Sequence, residues 1–139
     1  MALEAFNVTP WGVEPVVRDV PRKDQTVFAA AAIVGPTGPL ASDSFRCGLY
    51  YQRPYIRYGL HSHAAVETYA FIAGRALWTA GDLQQEVAPG DHVHHTTYLP
   101  HDCETGPEGL IALWRWSGDI GTESYRMHHG QGAFGRQAA

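Results

Sequence analysis

Two histidines, a glutamate and a tyrosine fall at alternate positions in the run YGLHSHAAVETYAFIAG, from Tyr58 to Gly74: His61, His63, Glu67 and Tyr69. Successive side chains of an extended strand point to opposite faces, so positions 61, 63, 65, 67 and 69 share one face. Core packing asks for no such set. Two imidazoles, a carboxylate and a phenol on one side suit coordination of a metal ion with an acid/base group next to it.

For that register to hold, the segment must be a strand, and its surroundings read as strands too. FRCGLYYQ, YIRYGLHSH, VETYAFI, RALWTA, LQQEV, HVHHTTY, HDCET and LIALWRWS are short runs rich in Tyr, Val, Thr, Ile, Trp and Phe. Gly, Pro or Asp separates most of them, as at Arg53-Pro54, Ala73-Gly74, Gly81-Asp82, Pro89-Gly90-Asp91, Leu99-Pro100 and Gly106-Pro107. TVFAAAAIVG, residues 26 to 35, mixes helix-favouring alanine with β-branched ends, and its short length before a Gly-Pro stop predicts a strand. Many short strands without a helical period describe an all-β sandwich or small barrel with room inside for one small ligand. Residues 1 to 25, with Pro10, Pro15 and Pro21, predict an extended N-terminal arm, and the glycine-rich residues 120 to 139 a loop and loosely ordered tail. The barrel core is expected over about residues 26 to 119, within a single domain over residues 1 to 139.

Composition narrows the classes of partner. At 45% hydrophobic and 12% aromatic the chain is of globular type, and no apolar run reaches the ~20 residues a bilayer span requires. A net charge of −4 with ten scattered Lys and Arg argues against nucleic acid, which needs clustered cations. Cys47 and Cys103 have no CxxC spacing and read as free thiols in a reducing compartment. The opening residues show no secretory leader, and the expectation is a cytoplasmic protein acting on a small molecule.

The run from His61 to Gly74 together with PGDHVHHTTYLPHD resembles the cupin superfamily. Its first motif, His-x-His, three or four residues, Glu, six residues, Gly, is met by His61, His63, Glu67 and Gly74. Its second, Pro-Gly-Asp and a later His, is met by Pro89, Gly90, Asp91 and His101. The chain departs from the pattern at Tyr55, where a glycine is common, and at Thr105, where an asparagine is common; neither position is a ligand. The resemblance implies a jelly-roll (double-stranded β-helix) barrel and one divalent metal held by His61, His63, Glu67 and His101. Three imidazoles and a carboxylate suit Fe, Mn, Ni, Co or Zn, and leave one or two positions for water or substrate.

The narrower pattern His61-x-His63-x3-Glu67-x-Tyr69, with Tyr58 upstream and ALWRWSGD at residues 112 to 119, looks like the bacterial cupin-type dimethylsulfoniopropionate (DMSP) lyases. That resemblance implies cleavage of DMSP to dimethyl sulfide and acrylate, with Tyr69 as the base that removes the α proton before β-elimination. Aromatic faces hold a desolvated cation, and Tyr58, Trp116 and Trp114 are the expected contacts of the sulfonium. Tyr58 is out of phase with His61 in a regular strand, so its use requires a bulge at Gly59. Tyr55, Phe71 and Trp78 are further aromatic candidates, and Arg57 and Arg115 candidate partners of a substrate carboxylate. A cupin dioxygenase or isomerase, or a non-catalytic small-molecule-binding cupin, would use the same ligands; Tyr69 beside Glu67 favours the lyase. His92 and His94 share a face opposite His95, so the three cannot serve one metal. A surface or supporting position beside the site is expected for them rather than a second metal site, and His128 and His129 receive no role. The arm would suit a homodimer, as in other small cupins.

Overall fold

The computed structural model of the chain describes residues 28 to 128. The expected N-terminal arm and His129 lie outside the described residues.

Among them the protein is all strand: β1 (Phe28–Gly35), β2 (Leu40–Ala41), β3 (Phe45–Gln52), β4 (Arg57–Ser62), β5 (Val66–Ala80), β6 (Leu83–Val87), β7 (His92–His95), β8 (His101–Ser117) and β9 (Arg126–Met127). The expected all-β fold holds. No helix among the described residues is long and apolar enough to cross a membrane.

Two strands organise the rest. β5 and β8 pair antiparallel along nearly their whole length, from Val66 opposite Ser117 to Ala80 opposite His101. The expected breaks at Gly74 and at Gly106-Pro107 are therefore bends within continuous strands. The register shifts between Phe71 and Ala73 and again between Gly74 and Ala76. These bulges change which residues face inward, from Glu67, Tyr69 and Phe71 to Ala76 and Trp78. Gly74 makes the bend possible: its φ is +81°, and a Cβ there would lie 1.9 Å from the Gly109 carbonyl oxygen.

The bend divides the strands into two layers of a jelly roll. One runs β2, β1, β3, the second half of β8, the first half of β5, then β7. The other runs β9, β4, the first half of β8, the second half of β5, then β6. Inward side chains from both layers, among them Tyr50, Phe71, Trp78, Val87, Leu110 and Trp114, form one core.

Residues 120 to 128 pack against the barrel, and the rest of the expected tail lies outside the described residues. Ile120 and Tyr125 are buried, and Arg126 and Met127 pair with Ser62 and His61 at the edge of β4. Apolar surface on Tyr125 and a sheet edge needing partners draw this segment back across the barrel.

Candidate metal centre and cavity

His61 near the end of β4, His63 in the link that follows and Glu67 on β5 form the first cluster, and His101 at the start of β8 closes it. His61, His63, Glu67 and His101 are all buried at one end of the barrel. Opposite Glu67 stand His95 on β7 and Trp116 on β8, its direct cross-strand neighbours. Both hold its carboxylate: the Trp116 indole N–H donates to Oε1 at 2.7 Å, and His95 Nδ1 lies 3.1 Å from Oε2.

The imidazoles have assignable protons. His61 Nδ1 lies 2.7 Å from the Gly59 carbonyl, His63 Nδ1 3.0 Å from the Ala65 carbonyl, and His101 Nδ1 2.8 Å from the Leu99 carbonyl. A carbonyl only accepts, so each Nδ1 carries the hydrogen and each neutral ring keeps its lone pair on Nε2. Two of those nitrogens meet the same oxygen: His63 Nε2 at 3.2 Å and His101 Nε2 at 3.1 Å from Glu67 Oε2. The His101 approach lacks hydrogen-bond geometry, leaving its Nε2 a buried side-chain nitrogen with no partner among the described residues. Lone pairs gathered around a carboxylate oxygen need a positive centre among them, either a proton or a metal ion.

His63, Glu67 and His101 place their donor atoms within 4.8 Å of one another, as one ion would require. A backbone-anchored Nδ1–H with Nε2 free is the arrangement in which imidazole ligates metals, so this donor set fits a divalent cation. His61 stands beside the trio, its ring centroid 4.1 Å from that of His101 and 6.3 Å from that of His63. Burial and the neighbouring His101 charge hold the His61 pKa well below the usual imidazole range. For Glu67 burial alone would raise the pKa, but a proton standing among these lone pairs, shared with His101 and His63, and the contact from His95 outweigh it and hold the carboxyl well below its ordinary value.

Next to this cluster lies a cavity of about 50 Å³, walled by Tyr50, Tyr58, Tyr69, Trp114, Trp116 and Tyr125. A water needs ~10–15 Å³ measured this way, so the space admits several waters or one small ligand. Tyr58, Tyr69, Trp114 and Trp116, the aromatic candidates named from the sequence, all line this cavity. The bulge at Gly59 is present: Tyr58 pairs with Cys103 and His61 with His101, which leaves two residues of β4, Gly59 and Leu60, against one of β8, Asp102. It turns Tyr58 inward, its ring 4.1 Å from the His61 ring. Burial first, and the Glu67 charge second, push the Tyr69 hydroxyl well above the ordinary tyrosine range.

Other candidates separate from the cavity. Tyr55 is exposed, and Trp78 and Phe71 pack in the core. Arg57 is bridged to Asp102, and Arg115 lies over the Phe45 ring at 5.9 Å. The arginine on the cavity wall is Arg46, whose Nε–H donates to the Ile120 carbonyl at 3.0 Å. Cys103 is a free thiol that burial pushes well up, which suits packing rather than nucleophilic work. His92 and His94 are exposed, and His128 is hydrogen-bonded to Ser62 at 2.8 Å.

Arg46, Tyr50 and Tyr125 line the cavity beyond the sequence reading, and His95, for which only a surface or supporting place was expected, contacts Glu67. His95 had a signal: Val93, two residues before it, marks the inward face of β7. Arg46 follows from the parity of β3, being opposite Trp116. Tyr125 stacks on the His61 ring at 5.4 Å, and its glycine- and serine-flanked segment has no periodicity that would announce it.

Comparisons with known proteins agree with this architecture. A dimethylsulfoniopropionate lyase DddQ from Ruegeria pomeroyi is 36% identical over 96 residues, covering 68% of this chain and 48% of the relative. The crystal structure of DddQ from the same organism superposes with a TM-score of 0.78 at 29% identity, covering 94% of this chain and 66% of that one. A cupin superfamily protein from Desulfitobacterium hafniense, 15% identical with a TM-score of 0.57 over 66% of this chain and 78% of its own, shares the fold alone. The chain spans about half the length of the curated relative it matches. With residues 11–112 matching the dimethylsulfoniopropionate lyase family, the chain, a cupin barrel by fold, belongs to that family.

Proposed function

We propose that this protein is a metal-dependent lyase that splits dimethylsulfoniopropionate into dimethyl sulfide and acrylate. The observation that carries the reading is the position of Tyr69: two residues from Glu67, on the wall of a cavity that has the His63–Glu67–His101 cluster beside it and aromatic rings around it.

His63, Glu67 and His101 would hold the metal, with His61 as a fourth ligand. Fe(II), Mn(II), Ni(II), Co(II) and Zn(II) suit this donor set. A divalent cation there supplies positive charge that polarises a substrate carboxylate and offsets the Glu67 charge holding the Tyr69 hydroxyl up.

The chain's own residues do the rest. Ionised, the Tyr69 oxygen takes the proton from the carbon α to the carboxylate. The electron pair of that C–H bond forms the new C=C bond, the C–S bond breaks, and sulfur leaves with the bonding pair as neutral dimethyl sulfide. Tyr58, Trp114 and Trp116 present ring faces to the sulfonium, attracting the cation without offering a nucleophile.

The test is a headspace assay for dimethyl sulfide, using protein loaded in turn with each of the five metals and supplied with DMSP. Release above a metal-free control supports the reading, and a blank with every metal removes it. A cytoplasmic location and a homodimer belong to the same proposal; sizing in solution tests the dimer.

A further inference from the structure

One buried histidine of this end of the barrel is not used by the reaction above. His95 is fully buried, directly opposite Glu67 across the β5–β7 pair. Its Nε2 is 2.9 Å from the Trp78 indole nitrogen. An indole N–H only donates, so His95 Nε2 is the acceptor, and on the neutral ring the hydrogen sits on Nδ1. That Nδ1 lies 3.1 Å from Glu67 Oε2. The tautomer of His95 is thus set by Trp78, and the orientation runs one way: Trp78 N–H to His95 Nε2, His95 Nδ1–H to Glu67.

The arrangement is the same as in His61, His63 and His101 at Nδ1, which carries the hydrogen in all four rings. The difference is at Nε2, which faces the Glu67 carboxylate in His63 and His101 and is capped by an indole in His95. The His95 ring also lies against the His101 ring, centroids 3.9 Å apart and planes 23° from parallel. It therefore touches two members of the cluster while offering no lone pair to it.

We infer that His95 is a positioning residue, held by Trp78 as a neutral Nδ1–H donor that aims the Glu67 carboxylate and buttresses His101, and that it is not itself a metal ligand. The inference rests on the metal-site reading above and deepens it. Partners of this kind, one bond removed from the ion, typically change metal affinity ~10–100-fold when lost.

The experiment compares Zn(II) and Co(II) binding to full-length protein, by chelator competition and by the Co(II) absorption spectrum. The variants are His95→Leu, His95→Asn and Trp78→Phe, with the exposed His94→Leu as control. Asparagine places an amide N–H near the position of Nδ1. Expected are a ~10–100-fold loss of affinity for His95→Leu, substantial recovery in His95→Asn, a smaller loss in Trp78→Phe and none in His94→Leu. Expected too is a Co(II) spectrum that keeps its nitrogen-ligand count in His95→Asn. Unchanged affinity in His95→Leu, equal loss in the Leu and Asn variants, or loss of one nitrogen ligand from the spectrum would overturn the inference. Wild-type protein that binds neither metal overturns it together with the metal-site reading. Wild-type protein that binds metal yet releases no dimethyl sulfide removes the activity alone, and leaves the role of His95 to be decided by the affinities.

Discussion

His101 Nε2 lies 3.1 Å from Glu67 Oε2, and no hydrogen bond joins them. The Nδ1–H of the same ring is committed to the Leu99 carbonyl, so the contact brings a lone pair against a carboxylate unless positive charge lies there. A proton can supply that charge, and so can a metal ion. Competition between the two gives the first prediction.

Metal binding should displace that proton, and affinity should fall as the pH is lowered and protons compete for the site. Titration calorimetry in buffers of different ionisation enthalpy checks it. His101→Ala, which removes the nitrogen with no other partner, should weaken binding at least ~100-fold; retention of wild-type affinity would show that His101 is not a ligand.

Tyr69→Phe removes one oxygen and keeps the ring that packs against Trp78 at 4.8 Å. Turnover should fall by ~10²–10⁴, the usual contribution of a positioned base, with metal affinity and melting temperature close to wild type. Activity within a few-fold of wild type would reassign the base.

Tyr58→Leu keeps an apolar wall and removes a π face. If the aromatic cavity recognises a sulfonium, KM for the cationic substrate should rise ~5–30-fold, the equivalent of ~1–2 kcal/mol. Inhibition by a neutral thioether of the same shape should barely change. Equal effects on both ligands would mean that Tyr58 supplies shape alone.

The stability of metal-free protein should fall with acid. Burial, and next the His101 charge, lower the His95 pKa from 6.5 to about 4. Below pH 6.5 the unfolded chain binds a proton that the folded chain refuses until about pH 4, so the stability His95 contributes is complete above 6.5 and lost progressively below it. The loss from this residue is on the order of 3 kcal/mol, and the lowered pKa values of His61 and Glu67 act with the same sign. Urea titrations of chelator-treated protein at pH 7 and pH 4.5 test this, and His95→Leu should flatten the dependence.

Gly74 and Gly118 both have positive φ, at +81° and +77°. An added Cβ at Gly74 would strike the Gly109 carbonyl, whereas at Gly118 nothing lies within 4 Å. Gly118→Ala should cost about 1 kcal/mol through backbone strain alone. Gly74→Ala should cost at least ~3 kcal/mol or prevent folding, since it forces apart the pair on which the barrel bends. Chemical denaturation of the two variants distinguishes the cases.

What the sequence determined by itself was local. A strand repeats every two residues, so the shared face of Glu67 and Tyr69 on β5 followed from their numbers, and the phase error between Tyr58 and His61 called for the bulge that Gly59 provides. The shared side of Trp114 and Trp116 followed in the same way. The expected single strand through His61 and Tyr69 is instead two, broken at residues 63 to 65, and His61 and His63 meet Glu67 because the chain crosses there from one layer to the other. Tertiary structure decided everything that depended on which strand lies beside which. Glu67 is bracketed by His95 and Trp116 because β5 pairs with β7 on one edge and β8 on the other, and positions 28 and 49 residues away are matched by register, which no local period encodes. The same pairing placed Arg46 on the cavity wall, left Arg57 and Arg115 outside it, and set His61 beside the trio of His63, Glu67 and His101. Gly74 could be read as an interruption from its residue type, but whether the chain stopped there or bent and continued depended on β8 running alongside.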